Sequence, residues 1–255
     1  MFSAFGLALL TVALTGGCNG SMRDHTHPQL LTEGDASDYV VQALEDPSPD
    51  QRRKAINRLA ETRYVHEQSV LKALALVATS DPSQSVRTSA VMAMGRSADP
   101  IVAETSIDII QGYLRGEARP APDEAVRTAA VNDLMRMAKA DALEPKDQGR
   151  AASLGIELLQ SDRARNVRVA AAQLLGYCPR KETLFALADS LEQRDFGVCY
   201  EAERSLMRLT GRTFNHDAPS WRQFIASTED PFADRGKLDH ELDPPKPKWY
   251  EWGKG

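Results

Sequence analysis

Few side chains in this sequence are placed to do chemistry, and one of them recurs. Arginine stands at Arg52, Arg87, Arg127 and Arg168, directly after Gln51, Val86, Val126 and Val167. Asp46, Asp81 and Asp162 stand five residues ahead of Gln51, Val86 and Val167. Four guanidinium groups at one fixed place could form an anion ladder. They could equally reach turn carbonyls or the aspartate of an adjacent copy, and the recurring aspartate, a ready charge-assisted partner, favours that structural role. The cysteines are three, Cys18, Cys178 and Cys199, too few for a disulfide-stapled scaffold. His25 and His27 flank one threonine, but two imidazoles lack the further ligands a stable metal site needs. No Gly-x-Ser-x-Gly elbow, phosphate loop, Gly-x-Gly-x-x-Gly turn, Cys-x-x-Cys pair or His-Glu-x-x-His motif occurs. The sequence therefore gives no catalytic residue, no metal site and no cofactor.

The elements that carry the arginines are helices. In the stretch from Asp81 to Gly95, Pro82 stops one helix, Asp81 offers an acceptor to free backbone N–H groups, and Val86, Ala90 and Met94 then share one helical face. The same pattern starts at Gln51, Val86, Val126, Val167 and Val198, at intervals of 35, 40, 41 and 31 residues. Four places on stand Ala55, Ala90, Ala130, Ala171 and Ala202; four further stand Leu59, Met94, Leu134, Leu175 and Leu206. Between these helices, Ser37–Leu44, Glu67–Thr79, Ile101–Leu114, Lys146–Leu159 and Glu182–Leu191 carry apolar residues at three- and four-residue spacing. Each unit reads as an outer helix, a tight turn and an inner helix. Such a pair buries its apolar face only by stacking on its neighbours, and internal repetition at this period signals a solenoid. No alternating strand pattern appears, so the expected class is all-α.

Length and charge narrow the roles. The chain has 255 residues and a formal net charge of −5, with 31 Lys and Arg against 36 Asp and Glu. That balance argues against a general nucleic-acid binder, which needs a basic stripe to neutralise phosphates.

At the N-terminus, Phe2 to Leu14 is an uncharged apolar run of 13 residues. A bilayer-spanning helix needs about 20, whereas this length suits the apolar region of a signal peptide. Thr15-Gly16-Gly17-Cys18 and the polar Asn19-Gly20-Ser21 follow. This resembles a bacterial lipoprotein signal, with Thr15 where that family prefers leucine. The resemblance implies cleavage after residue 17, diacylation of the Cys18 sulfur, and anchoring in the bacterial cell envelope through N-terminal lipid. Asn19 does not give the aspartate signal for inner-membrane retention, which leaves the outer membrane preferred. Residues 18–35 read as a tether.

The Asp-Pro turn, the Val-Arg pair, the central alanine and the Leu175-Gly176 or Met94-Gly95 ending together resemble the short bacterial HEAT-repeat family over residues 36–211. The resemblance implies a right-handed α-solenoid of about five hairpins. After Gly211, residues 212–226 with Trp221, Phe224 and Ile225 look like the terminal cap of such proteins, Trp221 serving as a lid. From 227 to 255 prolines interrupt the helical pattern, and Trp249, Tyr250 and Trp252 either form a recognition segment for a partner or pack back on the stack. Cys178 ends one inner helix and Cys199 opens the next; parallel inner helices of about 20 Å place them beyond disulfide reach, so both are expected as free, buried thiols.

The function expected is a non-catalytic scaffold that docks an unidentified protein or peptide. The alternative is an enzyme or a lyase-like chaperone on the same fold. HEAT-like hydroxylases use four His-Glu pairs for a di-iron site; only His66-Glu67 and His240-Glu241 occur here, in unmatched contexts. Related bilin lyases have less diagnostic residues.

Overall fold

The computed structural model describes residues 33–242, with side chains from residue 36 onward. Cys18, His25, His27, Trp249, Tyr250 and Trp252 lie outside the described residues. Within them the chain is an all-α solenoid without a strand. Five hairpins follow one another: α1 (Glu33–Glu45) with α2 (Pro49–Ala60), α3 (Gln68–Ser80) with α4 (Gln84–Met94), α5 (Pro100–Leu114) with α6 (Glu124–Lys139), α7 (Pro145–Ser161) with α8 (Arg165–Leu175), and α9 (Lys181–Ser190) with α10 (Phe196–Thr210). The helices α11 (Ala218–Ser227) and α12 (Asp239–Leu242) close the described chain.

The first helices of the hairpins pack on one another, as do the second helices, which makes two layers. The repeated apolar positions face the gap between those layers. Val86, Val126, Val167 and Val198 are fully buried, and so are all five central alanines, Ala55, Ala90, Ala130, Ala171 and Ala202. A methyl group at that place lets the second helices approach, while Leu59, Met94, Leu134, Leu175 and Leu206 fill the dry seam beyond it. Helix starts follow local chemistry. Pro49, Pro100 and Pro145 each open a helix, at the place where a missing N–H costs nothing. Asp99, Asp123 and Asp195 cap α5, α6 and α10 through their carboxylates.

The structure extends the sequence reading in two places. Between α2 and α3 a single 3-10 turn, Arg63–His66, buries Tyr64 and Val65. The part expected as irregular from residue 227 is described as far as Leu242, and it folds back onto α10. Arg208 carbonyl oxygen accepts from Gly236 N–H, Arg204 donates to Leu242 carbonyl oxygen, and Arg212 pairs with Asp234 at 3.2 Å. Gly211 makes this return possible. It ends α10 with φ of 64°, and a Cβ there would meet the Asp234 carbonyl oxygen at 2.1 Å.

Candidate functional site

The arginines join neighbouring repeats. Arg52 donates from Nε and one terminal nitrogen to both carboxylate oxygens of Asp81, at 2.7 and 2.9 Å, and from the other to Asp46 carbonyl oxygen. Arg127 makes the same fork with Asp162, at 2.8 and 2.9 Å, and also bonds Pro122 carbonyl oxygen. Its guanidinium lies 3.9 Å from the centre of the Tyr113 ring. Bonding to Asp81 raises the affinity of Arg52 for its proton. Asp46, Asp81 and Asp162 meanwhile accept the backbone N–H two residues ahead, those of Ser48, Ser83 and Ala164, and so shape the turn.

At the other two seams the contact is weaker. The third and fifth repeats have Ala121 and Gln193 where the others have aspartate, and carry Asp123 and Asp195 two residues later, as helix caps. Arg87 therefore reaches Asp123 with one nitrogen only, at 3.3 Å, and Arg168 reaches Asp195 at 3.5 Å. Buried Arg87 Nε is left without a partner. These arginines are committed to the turns and seams. They do not form an anion ladder.

One surface open to a ligand is the outer side of the second-helix layer. The repeat register aligns its side chains in rows: Thr88, Thr128, Val169 and Tyr200; Met92, Asn132, Gln173 and Arg204; Arg96, Arg136, Tyr177 and Arg208. Met92 is 65% exposed, and Phe196 and Tyr200, stacked with ring centres 6.0 Å apart, are 76% and 43% exposed. Single exposed apolar side chains are ordinary, as Val41, Leu44 and Leu76 on the first-helix layer are, but Met92, Phe196 and Tyr200 share one face of the second. Between α4 and α6 a groove of about 850 Å³ is lined by Met92, Ala129 and Met135, with Arg96, Arg136 and Glu124 at its edges.

Asp133 closes the floor of that groove. It is 7% exposed, one carboxylate oxygen has no hydrogen-bond partner, and it packs where Gly95 lacks a side chain; a Cβ there would fall 2.1 Å from Asp133 Oδ1. Loss of hydration pushes its carboxyl up to about 7, against the pull of Arg136. The repeat pattern does not single out Asp133, because its place is variable and is taken in the other four repeats by Arg58, Ala93, Leu174 and Ser205.

A second carboxylate has a different setting. Glu203, 3% exposed on α10, accepts hydrogen bonds from Trp221 Nε1 at 2.7 Å, Thr213 Oγ1 at 2.9 Å, and the backbone N–H groups of Phe214 and His216. It fastens the turn after α10 and the cap helix in one step. Trp221 is fully buried, edge-on to Phe214 at 4.7 Å. The sequence reading found the tryptophan but not the glutamate that holds it.

Cys178 and Cys199 are both free and buried. Burial pushes the Cys178 thiol up to about 11, and raises Cys199 as well, so neither is a nucleophile at neutral pH. His66 ends the 3-10 turn of the first repeat, whereas His240 lies on α12. Among the described residues no group of three or more His, Cys, Asp or Glu side chains is placed to hold a metal ion.

Comparison with known proteins gives the same architecture. Residues 37–120 match the family described as HEAT repeats. Among solved structures, the complex of CpcE and CpcF of phycocyanin lyase from Nostoc sp. is similar with a TM-score of 0.53 and 17% identity, over 80% of this chain and 71% of that one. An engineered protein is similar with a TM-score of 0.50 and 16% identity, over 82% of this chain and 96% of that one. Likeness at such identities concerns the fold alone. A search of curated proteins gives no match.

Proposed function

We propose that this chain is a non-catalytic interaction scaffold, held in the bacterial cell envelope by lipid on Cys18, and that its second-helix face docks a protein or peptide. The observation that supports the reading is the open face itself, where Met92 stands in a groove of about 850 Å³ and Phe196 and Tyr200 stay exposed further along, on α10. Extended surfaces of this kind are how stacked helical repeats bind partners, with aromatic and methionine side chains as anchors.

The test is photo-crosslinking in cells from probes at Thr88, Asn132 and Tyr200. One discrete adduct that disappears with Met92→Arg is expected. Equal labelling of many proteins, insensitive to that change, would refute a docking face. Mass spectrometry of the mature N-terminus addresses the anchor separately: an acylated Cys18 is expected, and an intact Met1 would remove it. The purified chain should carry neither iron nor pigment, as measured by metal assay and absorbance. Either one bound at stoichiometry would point to the enzyme or lyase-like alternative.

A further inference from the structure

A second opening lies where the turns that join repeats meet the returning chain. It is a cleft of about 500 Å³ bounded by the α6–α7 turn, the start of α7, the α8–α9 turn and Arg235. Three cations line it, Arg180, Lys181 and Arg235, and among the described residues none of them has an ion pair or a side-chain hydrogen bond. Their backbones are fixed. Arg180 is the N-cap residue of α9 and Lys181 its first residue. Arg235 N–H bonds to Phe232 carbonyl oxygen, and the next N–H, that of Gly236, bonds to Arg208 carbonyl oxygen on α10. The Arg180 guanidinium leans on α7, where a Cβ at Gly149 would meet one terminal nitrogen at 3.2 Å. Burial raises the Cys178 thiol, and the charges of Arg180 and Arg235 both pull against it, so the two guanidinium groups share one neighbourhood.

That placement runs against the local electrostatics. The start of a helix carries partial positive charge and favours acids, yet α9 begins with Arg180 and Lys181. No side chain caps α9, so its first N–H groups add donors at the same place. Asp141 and Glu182 are the acids that line the cleft, and neither pairs with the three cations. The cleft is therefore net positive on a chain whose formal net charge is −5. A carboxylate is matched by one arginine fork, whereas two arginines, an ammonium and open helix N–H groups suit a dianion with three free oxygens. Leu143, Pro179 and the Tyr177 ring give an apolar wall for the body that carries it. We propose that this cleft binds a phosphate monoester, free or as a lipid headgroup, with Arg180 and Arg235 gripping its oxygens and Lys181 completing the charge. The site is separate from the groove between α4 and α6, and neither reading depends on the other.

Calorimetric titration of the full chain with inorganic phosphate and with phenyl phosphate tests it. The lipid arm uses a Cys18→Ser chain, free of acyl anchoring, and phosphatidylcholine vesicles with or without phosphatidic acid. One saturable site per chain is expected. Arg180→Gln and Arg235→Gln should each weaken it about tenfold or more, while Arg163→Gln, at an exposed arginine outside the cleft, leaves it unchanged. All three positions are exposed, so the variants keep their helix content by circular dichroism. Phenyl phosphate bound in solution, with both kinds of vesicle treated alike, supports the site and identifies a soluble ester. Binding that requires phosphatidic acid and is lost in Arg180→Gln supports it and identifies a lipid headgroup. No saturable binding of any phosphate probe at millimolar concentration overturns the proposal. So does binding that the two cleft variants leave unchanged, a loss matched by Arg163→Gln, or acetate bound as tightly as phosphate.

Discussion

At the scale of single residues, the two kinds of arginine contact should be measurably unequal. Arg127 is 6% exposed and paired to a side chain, Asp162, that is almost wholly buried. Removing one member of such a pair strands the other charge, at a cost of about 3–5 kcal/mol. Arg127→Ala should therefore lower the stability by that amount in urea unfolding. Arg168→Ala, where the side chain is partly exposed and its loss leaves Asp195 paired with Arg165, should cost about 1 kcal/mol. Asp133 adds a pH effect of definite sign. It holds its proton up to about pH 7 when folded, but only to about 3.9 when unfolded. Between those values the folded state binds a proton that the unfolded state lacks, so stability falls as pH rises from about 4 to about 7 and then levels off. Asp133→Asn should remove that slope and stabilise the protein above pH 7 by up to roughly 4 kcal/mol, checked by unfolding curves across pH. The thiols give a third expectation: in a Cys18→Ser chain, Cys178 and Cys199 should resist a thiol reagent until the protein is unfolded, then both react.

At the scale of elements, the last hairpin depends on Glu203 more than its sequence suggests. Four donors converge on that carboxylate from the turn and the cap helix. Glu203→Ala should release α11 and expose Trp221, read as a red shift in its fluorescence and a loss of about 3 kcal/mol or more. The same region shows where sequence and structure part company. Helical spacing and the Val-Arg, Ala and Leu positions were enough to place all ten hairpin helices, because a repeated core position is a repeated signal. Asp123, Asp195, Asp133 and Glu203 each do a job made by one particular neighbour. A pattern read from repeats passes over residues that are not repeated. The groove belongs with them: Met92 is notable only because nothing covers it, a fact of packing that spacing does not carry. The return of residues 229–242 onto α10 was equally hidden, since it rests on one backbone hydrogen bond and on contacts from Arg204 and Arg212 that no other repeat shares.

For the molecule as a whole, the stack conducts stability from neighbour to neighbour, so the seams decide where it gives way. The forks between Arg52 and Asp81 and between Arg127 and Asp162 fasten the first repeat to the second and the third to the fourth. The seams from second to third and from fourth to fifth have no such fork: Arg87 reaches Asp123 through one nitrogen with its Nε unpaired, and Asp195 takes one nitrogen each from Arg165 at 3.1 Å and Arg168 at 3.5 Å. Hydrogen exchange should accordingly find slower amides at the turns of the forked seams than at the turns preceding α6 and α10. Uniform protection along the chain would contradict this. Moving an acid by two positions, from the turn to the helix cap, thus has a mechanical result: the array behaves as stiff couplets joined by softer links, and whatever it grips should be accommodated by flexing at every second joint.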